Sequence, residues 1–383
     1  MKIRIIDQLY LLCITIGIIF TTISLTALAA QTPWAITISN SVLFALCIIQ
    51  LIRTFYLLRK RKTWLLVWCV CVVLLFIGYR TVRDRTILEA FAYGTGAIFV
   101  DYKKIIKTMK STWIWCLVTV AFLSLVRIIP TVGGVRKTGE VRMSLGFVHA
   151  NTLGFILFII GLLIFMESYD KRSRNTFIAL LILTFVDFYI ANSRTTTLLL
   201  LVMDIAMATK VFKNDMIYHF LNKKWVRNLL LVFVIALIGF TIWLATSYNG
   251  SGRLLQLNGL LNNRVQNGSY YMSLYGISLI GKNIPEFVLW KDNYTQLYLD
   301  NGYLLMLIKY GVIATVIYVM MILQSARKAI QVKNIDMVLA IGLIAVSLFT
   351  EQSALRWCFC PILMYMSANN CDKINKSVEL KSR

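Results

Sequence analysis

The chain is poor in charge, proline and histidine. Only 15% of its 383 residues are Asp, Glu, Lys or Arg, against roughly 25% in an ordinary soluble domain, and this scarcity excludes a soluble globular protein. Four prolines and scattered serines leave no flexible linker or low-complexity tail, so residues 1–383 read as a single integral domain. The two histidines and eight cysteines show no metal-ligand or disulfide spacing, and there is no Asp-x-Asp pair. Acidic residues are few as well, 17 against 40 Lys and Arg, giving a net charge of +23. In a soluble protein that excess would suggest nucleic acid. In a chain with many short loops its source is the positive-inside bias of cytoplasmic connections, and no nucleic-acid partner is expected.

Apolar residues are abundant instead, 58% of the chain, with a mean hydropathy of +0.72. They fall in runs long enough to span a hydrocarbon core about 30 Å thick. The pattern predicts an all-α polytopic membrane protein of about twelve helices. These lie near 9–29, 34–52, 63–79, 86–100, 112–129, 145–166, 175–191, 194–209, 228–247, 302–323, 335–349 and 353–368. The first run is too long for the apolar part of a cleaved signal segment and reads as a retained helix. An even number of spans puts both termini on one side. Assigning that side to the cytoplasm places the clusters 53–62, 103–110, 171–174, 210–227, 327–333 and the tail from Lys373 inside, as the charge rule requires.

Sorted on this topology, the cations differ in kind. The inner set is 17 Lys and 9 Arg; the outer or buried set is 10 Arg (80, 83, 85, 127, 136, 142, 194, 253, 264, 356) and 4 Lys (137, 282, 291, 309). Arginine dominates where topology asks for no cation. Its rigid fork of donors suits bidentate binding of phosphate, so the set points to a phosphate-bearing ligand outside, with lipid headgroups as the plainer alternative for any one arginine. Residues 248–301 form one oversized extracytoplasmic loop. Leu260, Leu261, Tyr270, Tyr271, Leu274 and Tyr275 recur there at helical spacing and predict short helices along the membrane surface, Tyr270 serving either an interfacial belt or sugar stacking.

Three outer segments carry candidate chemistry. If 142–151 is helical, Arg142 and His149 are seven residues apart and share a face. A cation then stands beside an imidazole able to take a proton from a sugar hydroxyl, or beside a histidine that only closes a helix end. In Asn192-Ser193-Arg194, Ser193 or Asn192 can cap the next helix and turn its first N–H groups toward an anion near Arg194. Asn262-Asn263-Arg264 precedes the tyrosines, and Asp300-Asn301-Gly302-Tyr303 opens the tenth helix with Asp300 as a fair N-cap. Glu351 and Arg356, near a membrane face, are expected to meet a polar cavity or each other, and Asp187, Asp204 and Lys309 raise the same question. Gly276 to Asn283 nearly matches a P-loop, but Asn283 stands where Ser or Thr would hold magnesium. Neither metal, nucleotide nor other cofactor is expected.

With these pieces assembled, the chain resembles the Wzy-type repeat-unit polymerases of bacterial surface polysaccharides, a group related to the O-antigen ligases. The matching pieces are Gly146-Phe147-Val148-His149-Ala150-Asn151, Asn192-Ser193-Arg194, Arg264 followed by Ile280-Gly281, Asp300-Asn301-Gly302-Tyr303, and Glu351. Where the family commonly has His-Pro-Asn, this chain has His149-Ala150-Asn151. The resemblance implies a GT-C-like glycosyltransferase in the bacterial cytoplasmic (inner) membrane, joining oligosaccharide units carried on undecaprenyl diphosphate into capsule, exopolysaccharide or O-antigen. It assigns Arg142, Arg194 and Arg264 to the diphosphates and makes His149 a base or hydroxyl-orienting group. Asn151, Ser193, Tyr270, Asp300, Asn301, Tyr303 and Glu351 become substrate contacts. Membrane lipid, a flippase and a chain-length regulator are the implied partners. The rivals are a flippase for the same lipid-linked sugars and a ligase that passes finished glycan to another acceptor. Internal repeats and discontinuous helices in matching halves, which would favour a transporter, are not evident in the sequence.

Overall fold

A computed structural model of the chain describes residues 2–131, 133–135, 139, 141–168, 173–212, 219–220, 223–289 and 296–369. Lys171, part of the 210–227 connection and the tail from Lys373 lie outside the described residues, as do Arg136, Lys137 and Lys291. Apolar runs become helices because lipid offers no partner for a free N–H or C=O, so each segment must satisfy its own backbone.

The first half comprises α1 (Lys2–Ser24), α2 (Ala27–Gln31), α3 (Pro33–Leu58), α4 (Lys62–Val82), α5 (Thr86–Gly96) and α6 (Tyr102–Leu125). A two-stranded hairpin follows, β1 (Gly133–Val135) with β2 (Val141–Met143), and leads to α7 (Ala150–Glu167). Next come α8 (Arg174–Val186), prolonged by a π turn over Asp187–Ala191, then α9 (Arg194–Val211) and α10 (Lys224–Ser247). The long loop holds α11 (Gly252–Leu260), α12 (Arg264–Tyr275) and a second hairpin, β3 (Phe287–Leu289) with β4 (Gln296–Tyr298). The expected short helices are therefore present. The chain closes with α13 (Gly302–Leu305), a π turn over Met306–Tyr310, α14 (Gly311–Gln331), α15 (Ile335–Thr350) and α16 (Ile362–Tyr365).

Among the described residues eight helices are long and apolar enough to cross a membrane, the pattern of a multi-pass helical membrane protein. α15 is apolar but shorter, and α9, at the expected span 194–209, is not among the eight. Two of the twelve expected spans take another form. In place of a helix over 86–100, α5 has 11 residues. Its segment is buried almost throughout, so packing within protein replaces the length that lipid would demand.

In place of a helix over 353–368 the chain runs through two 3-10 turns (Gln352–Leu355 and Trp357–Phe359) and the single turn of α16. Pro361 is one reason: it lacks an N–H and drives Cys360 out of the helical region, to φ −128°. The carbonyls that this break frees are taken by side chains of the surrounding helices. Tyr318 donates to Ala354 O (3.2 Å), Trp113 to Cys358 O (3.2 Å), Tyr102 to Pro361 O (3.2 Å) and Ser325 to Ile362 O (2.7 Å). Trp357 stacks on Tyr93 of α5, with centroids 3.7 Å apart. Irregular backbone at this depth is tolerable only because it is enclosed by protein.

The helix order brings the long loop, both hairpins, the starts of α7 and α9 and the end of α15 to one end of the bundle. Arg59 to Lys62, between α3 and α4, mark the opposite end.

Candidate functional site

At the loop end, side chains from five chain segments converge. Arg142 lies on β2, opposite Gly134. Its Nε donates to Ala191 O (3.2 Å), and its terminal nitrogen bonds the Asn151 side chain. Arg142 and His149 do not share a helix. Leu145 (φ 45°) and Gly146 (φ 88°) take left-handed turns, and the stretch is tied to the α1–α2 turn by Ala27 N–H to Gly146 O (2.8 Å) and Val148 N–H to Leu25 O (3.0 Å). α7 therefore begins at Ala150 instead of 145, and His149 is its N-cap, Nδ1 accepting from Asn151 N–H at 3.0 Å.

That cap fixes the chemistry of the imidazole. With Nδ1 used as acceptor, the neutral ring of this exposed residue carries its proton on Nε2 and keeps that nitrogen as a donor. Desolvation, together with the Arg142 guanidinium, lowers the pKa of His149 below its ordinary value, while Asp300 works in the other direction.

Arg264, the first residue of α12, donates to Glu351 Oε1 at 2.6 Å, and its Nε lies 3.5 Å from Asp300 Oδ2. Burial pushes the Glu351 carboxyl up to about 7; Arg264 opposes the rise, Asp300 adds to it, and Arg142 pulls weakly the other way. Asp300 is also raised by burial, against the pull of Arg264 and His149. Arg142, His149, Arg264, Asp300 and Glu351 thus form one electrostatic cluster. Asp300 does not cap α13; Asn301 does, its Oδ1 accepting from Leu304 N–H at 2.9 Å. Asn301, the residue next to the helix start, reaches the first turn and leaves the Asp300 carboxylate for Arg264.

Ser193 and Arg194 lie on the neighbouring turn. Asn192 ends the π turn in the left-handed region, its N–H meeting Asp187 O at 2.7 Å, and Ser193 is the N-cap of α9 without a capping side-chain bond. The buried Asp187 carboxylate organises the turn instead, accepting from Thr196 (2.7 Å) and Thr197 (2.8 Å). A Cβ on Gly154 of α7 would come within 2.6 Å of both Asp187 Oδ1 and Ser193, so only glycine lets the turn pack there and aim Ala191 O at Arg142. Arg194 is exposed at the start of α9.

Two expected substrate contacts do not reach the cluster. Tyr303 is fully buried, its hydroxyl donating to Ala345 O at 3.0 Å, because Asn301 caps α13 and turns the following side chains into the bundle. Tyr270 is half-buried, its hydroxyl 3.4 Å from Leu289 O on β3.

The P-loop-like stretch has a structural part that its motif did not suggest. It runs extended along the broken start of α14. Lys282 N–H meets Lys309 O (2.8 Å), Val312 N–H meets Ser278 O (2.9 Å) and Ile313 N–H meets Leu279 O (3.1 Å). Gly281 (φ 113°) and Gly311 (φ 86°) are in contact, and a Cβ on Gly281 would lie 2.6 Å from Lys309 O. The arrangement aims Lys309 at Asp84, 2.6 Å away. Glu351 and Arg356 part company: Glu351 joins Arg264, and Arg356 lines two cavities beside Asp84.

No protein-family model and no curated protein matches the sequence.

Proposed function

We propose that the protein is a polymerase that joins undecaprenyl-diphosphate-linked oligosaccharide repeat units into a surface polysaccharide on the outer face of a bacterial cytoplasmic membrane. In this reading α5, α9, α15 and the broken 351–369 segment complete a twelve-crossing, GT-C-like bundle with both termini inside. The observation that carries the reading is the convergence of Arg142, His149, Arg264, Asp300 and Glu351 at the loop end. His149, Arg264, Asp300 and Glu351 belong to the motifs that carry the resemblance, and they come from distant parts of the chain.

Transfer breaks the bond between the anomeric carbon of the growing chain and its diphosphate oxygen, and bonds that carbon to an acceptor hydroxyl oxygen. Negative charge grows on the leaving diphosphate, and preorganised cations aimed at it are usually the largest catalytic term. At an effective dielectric near 20, one cation 4 Å from a phosphate charge contributes about 4 kcal/mol before desolvation. Arg142 and Arg264 fill this part, with Arg194 at the rim. His149, its Nδ1 occupied by the cap, acts as an Nε2–H donor that orients the hydroxyl or a phosphate oxygen. The proton goes to Asp300, the carboxylate that Arg264 contacts and that His149 also influences electrostatically.

A second reading, a flippase for the same lipids, is favoured by one observation. The broken 351–369 segment packs against the short α5, and interrupted helices in both halves of a chain are a transporter feature. Deleting the gene in a producing cell separates the two: loss of a polymerase leaves single lipid-linked repeats exposed outside, and loss of a flippase leaves them inside. Accumulation inside would overturn the polymerase reading.

A further inference from the structure

Two cavities of about 360 and 330 Å³ adjoin at the loop end, sharing Asp84, Thr86 and Arg356. Each is within the size range of small-molecule sites. Their wall holds two ion pairs that consume opposite charges, Lys309 with Asp84 and Arg85 with Glu89. Of the cations, Arg83 and Arg356 remain, both exposed and both lining the 330 Å³ cavity, while the Glu286 carboxylate lies on the 360 Å³ side. Among the described residues neither guanidinium makes an ion pair or hydrogen bond within 4 Å, although the Glu89 carboxylate, already paired with Arg85, also feels the charge of Arg356. Arg83 is directed there by its own backbone, a left-handed residue (φ 58°) that ends α4.

The cavity also enters the bilayer-facing zone. Its walls include Asn40 and Leu43 on α3 and Tyr79 on α4, Asn40 lying seven residues, about 10 Å, from the helix start. The 360 Å³ cavity next to it is polar. Gln352, Ser353 and Glu286 line it, together with Tyr271, and it abuts the main cluster through Leu299 and Gln352, the neighbours of Asp300 and Glu351.

We infer that Arg83 and Arg356 form a second anion site, which takes the phosphate headgroup of a phosphate-bearing lipid glycan and lets its sugars run through the 360 Å³ cavity toward Asp300 and Arg264. Two arginines lining one cavity without a close carboxylate partner match a phosphate group better than a neutral sugar, since each guanidinium can offer two parallel N–H donors. The inference rests on the proposed function: it makes this the place of the second lipid-linked substrate, while Arg142 and Arg264 hold the first.

Native mass spectrometry of the full chain tests it, with undecaprenyl diphosphate as probe, phosphatidylglycerol as control lipid and inorganic pyrophosphate as competitor. The expected result is two equivalents of undecaprenyl diphosphate on the wild type. One is weakened about tenfold or more in Arg83→Gln/Arg356→Gln, and the other in Arg142→Gln/Arg264→Gln. Because Arg83 and Arg356 are exposed and make no close ion pair among the described residues, their replacement is expected to leave the fold intact, and the retained first equivalent verifies this in the same spectrum. Competition by pyrophosphate assigns recognition to the headgroup and supports the site. If the wild type binds one equivalent, lost only in Arg142→Gln/Arg264→Gln, this inference falls and the proposed function stands. If Arg83→Gln/Arg356→Gln loses phosphatidylglycerol to the same degree, the pair is a general lipid contact and the inference also falls. If pyrophosphate binds at Arg83 and Arg356 but undecaprenyl diphosphate binds nowhere, the anion site stands and the polymerase reading falls.

Discussion

Arg264 and Glu351, 87 positions apart in the chain, meet at 2.6 Å at the end of the bundle covered by the long loop. The contact joins the start of α12 to the end of α15, and it makes the main cation of the cluster a shared one. An anionic ligand at Arg264 must compete with a carboxylate whose own charge depends on pH.

Anion affinity is therefore expected to rise as pH falls through about 7. Burial holds the Glu351 carboxyl up to about 7 against an ordinary 4.5, so at pH 6 it is mostly neutral and Arg264 is released toward a phosphate. The stability sign follows from the same shift. The folded state binds this proton more tightly than the unfolded state, so the contribution is full below about pH 4.5 and lost as pH rises through about 7. Glu351→Gln should remove this step from pyrophosphate binding and keep the tight level throughout; a variant with the wild-type pH profile would assign the step elsewhere.

His149 separates capping from chemistry. His149→Ala loses the bond to Asn151 N–H and should destabilise the start of α7 by about 1 kcal/mol. His149→Asn can restore that cap without restoring an Nε2–H donor. Its thermal midpoint should match the wild type while polymer formation stays as low as in His149→Ala. Recovery of activity in the Asn variant would reduce His149 to a cap.

The docked 278–282 segment depends on two glycines. Gly281→Ala forces a side chain into a left-handed position and against Lys309 O, a strain of about 1–3 kcal/mol. Hydrogen exchange of Lys282, Val312 and Ile313 N–H should accelerate, and the Lys309 contact with Asp84 should loosen. Unchanged protection at these amides would mean that the segment is held by other contacts.

The helices were legible where apolar runs are long and lipid-facing, as in α3, α4 and α10, because there a segment must satisfy its own backbone. The broken 351–369 segment was not, since hydropathy records apolar character but not whether neighbours can supply hydrogen bonds; Pro361 was the available signal. Of the site, Arg142, His149, Arg264, Asp300 and Glu351 could be named from motifs, whereas their pairing could not. The helical face expected for Arg142 and His149 failed at Leu145 and Gly146, whose left-handed turns follow from contact with Leu25 and Ala27. Tyr303 was misjudged because a cap one residue away decides which way its ring points.

Reconstitution of the purified protein in liposomes with a defined undecaprenyl-diphosphate-linked repeat tests the central claim most directly. The wild type should yield a ladder of linked repeats. Arg142→Lys and Arg264→Lys, at equal protein level, should slow it about tenfold to a hundredfold as the bidentate contact to phosphate is lost. Single repeats that the wild type leaves unlinked, or ladders unchanged in both lysine variants, would contradict it.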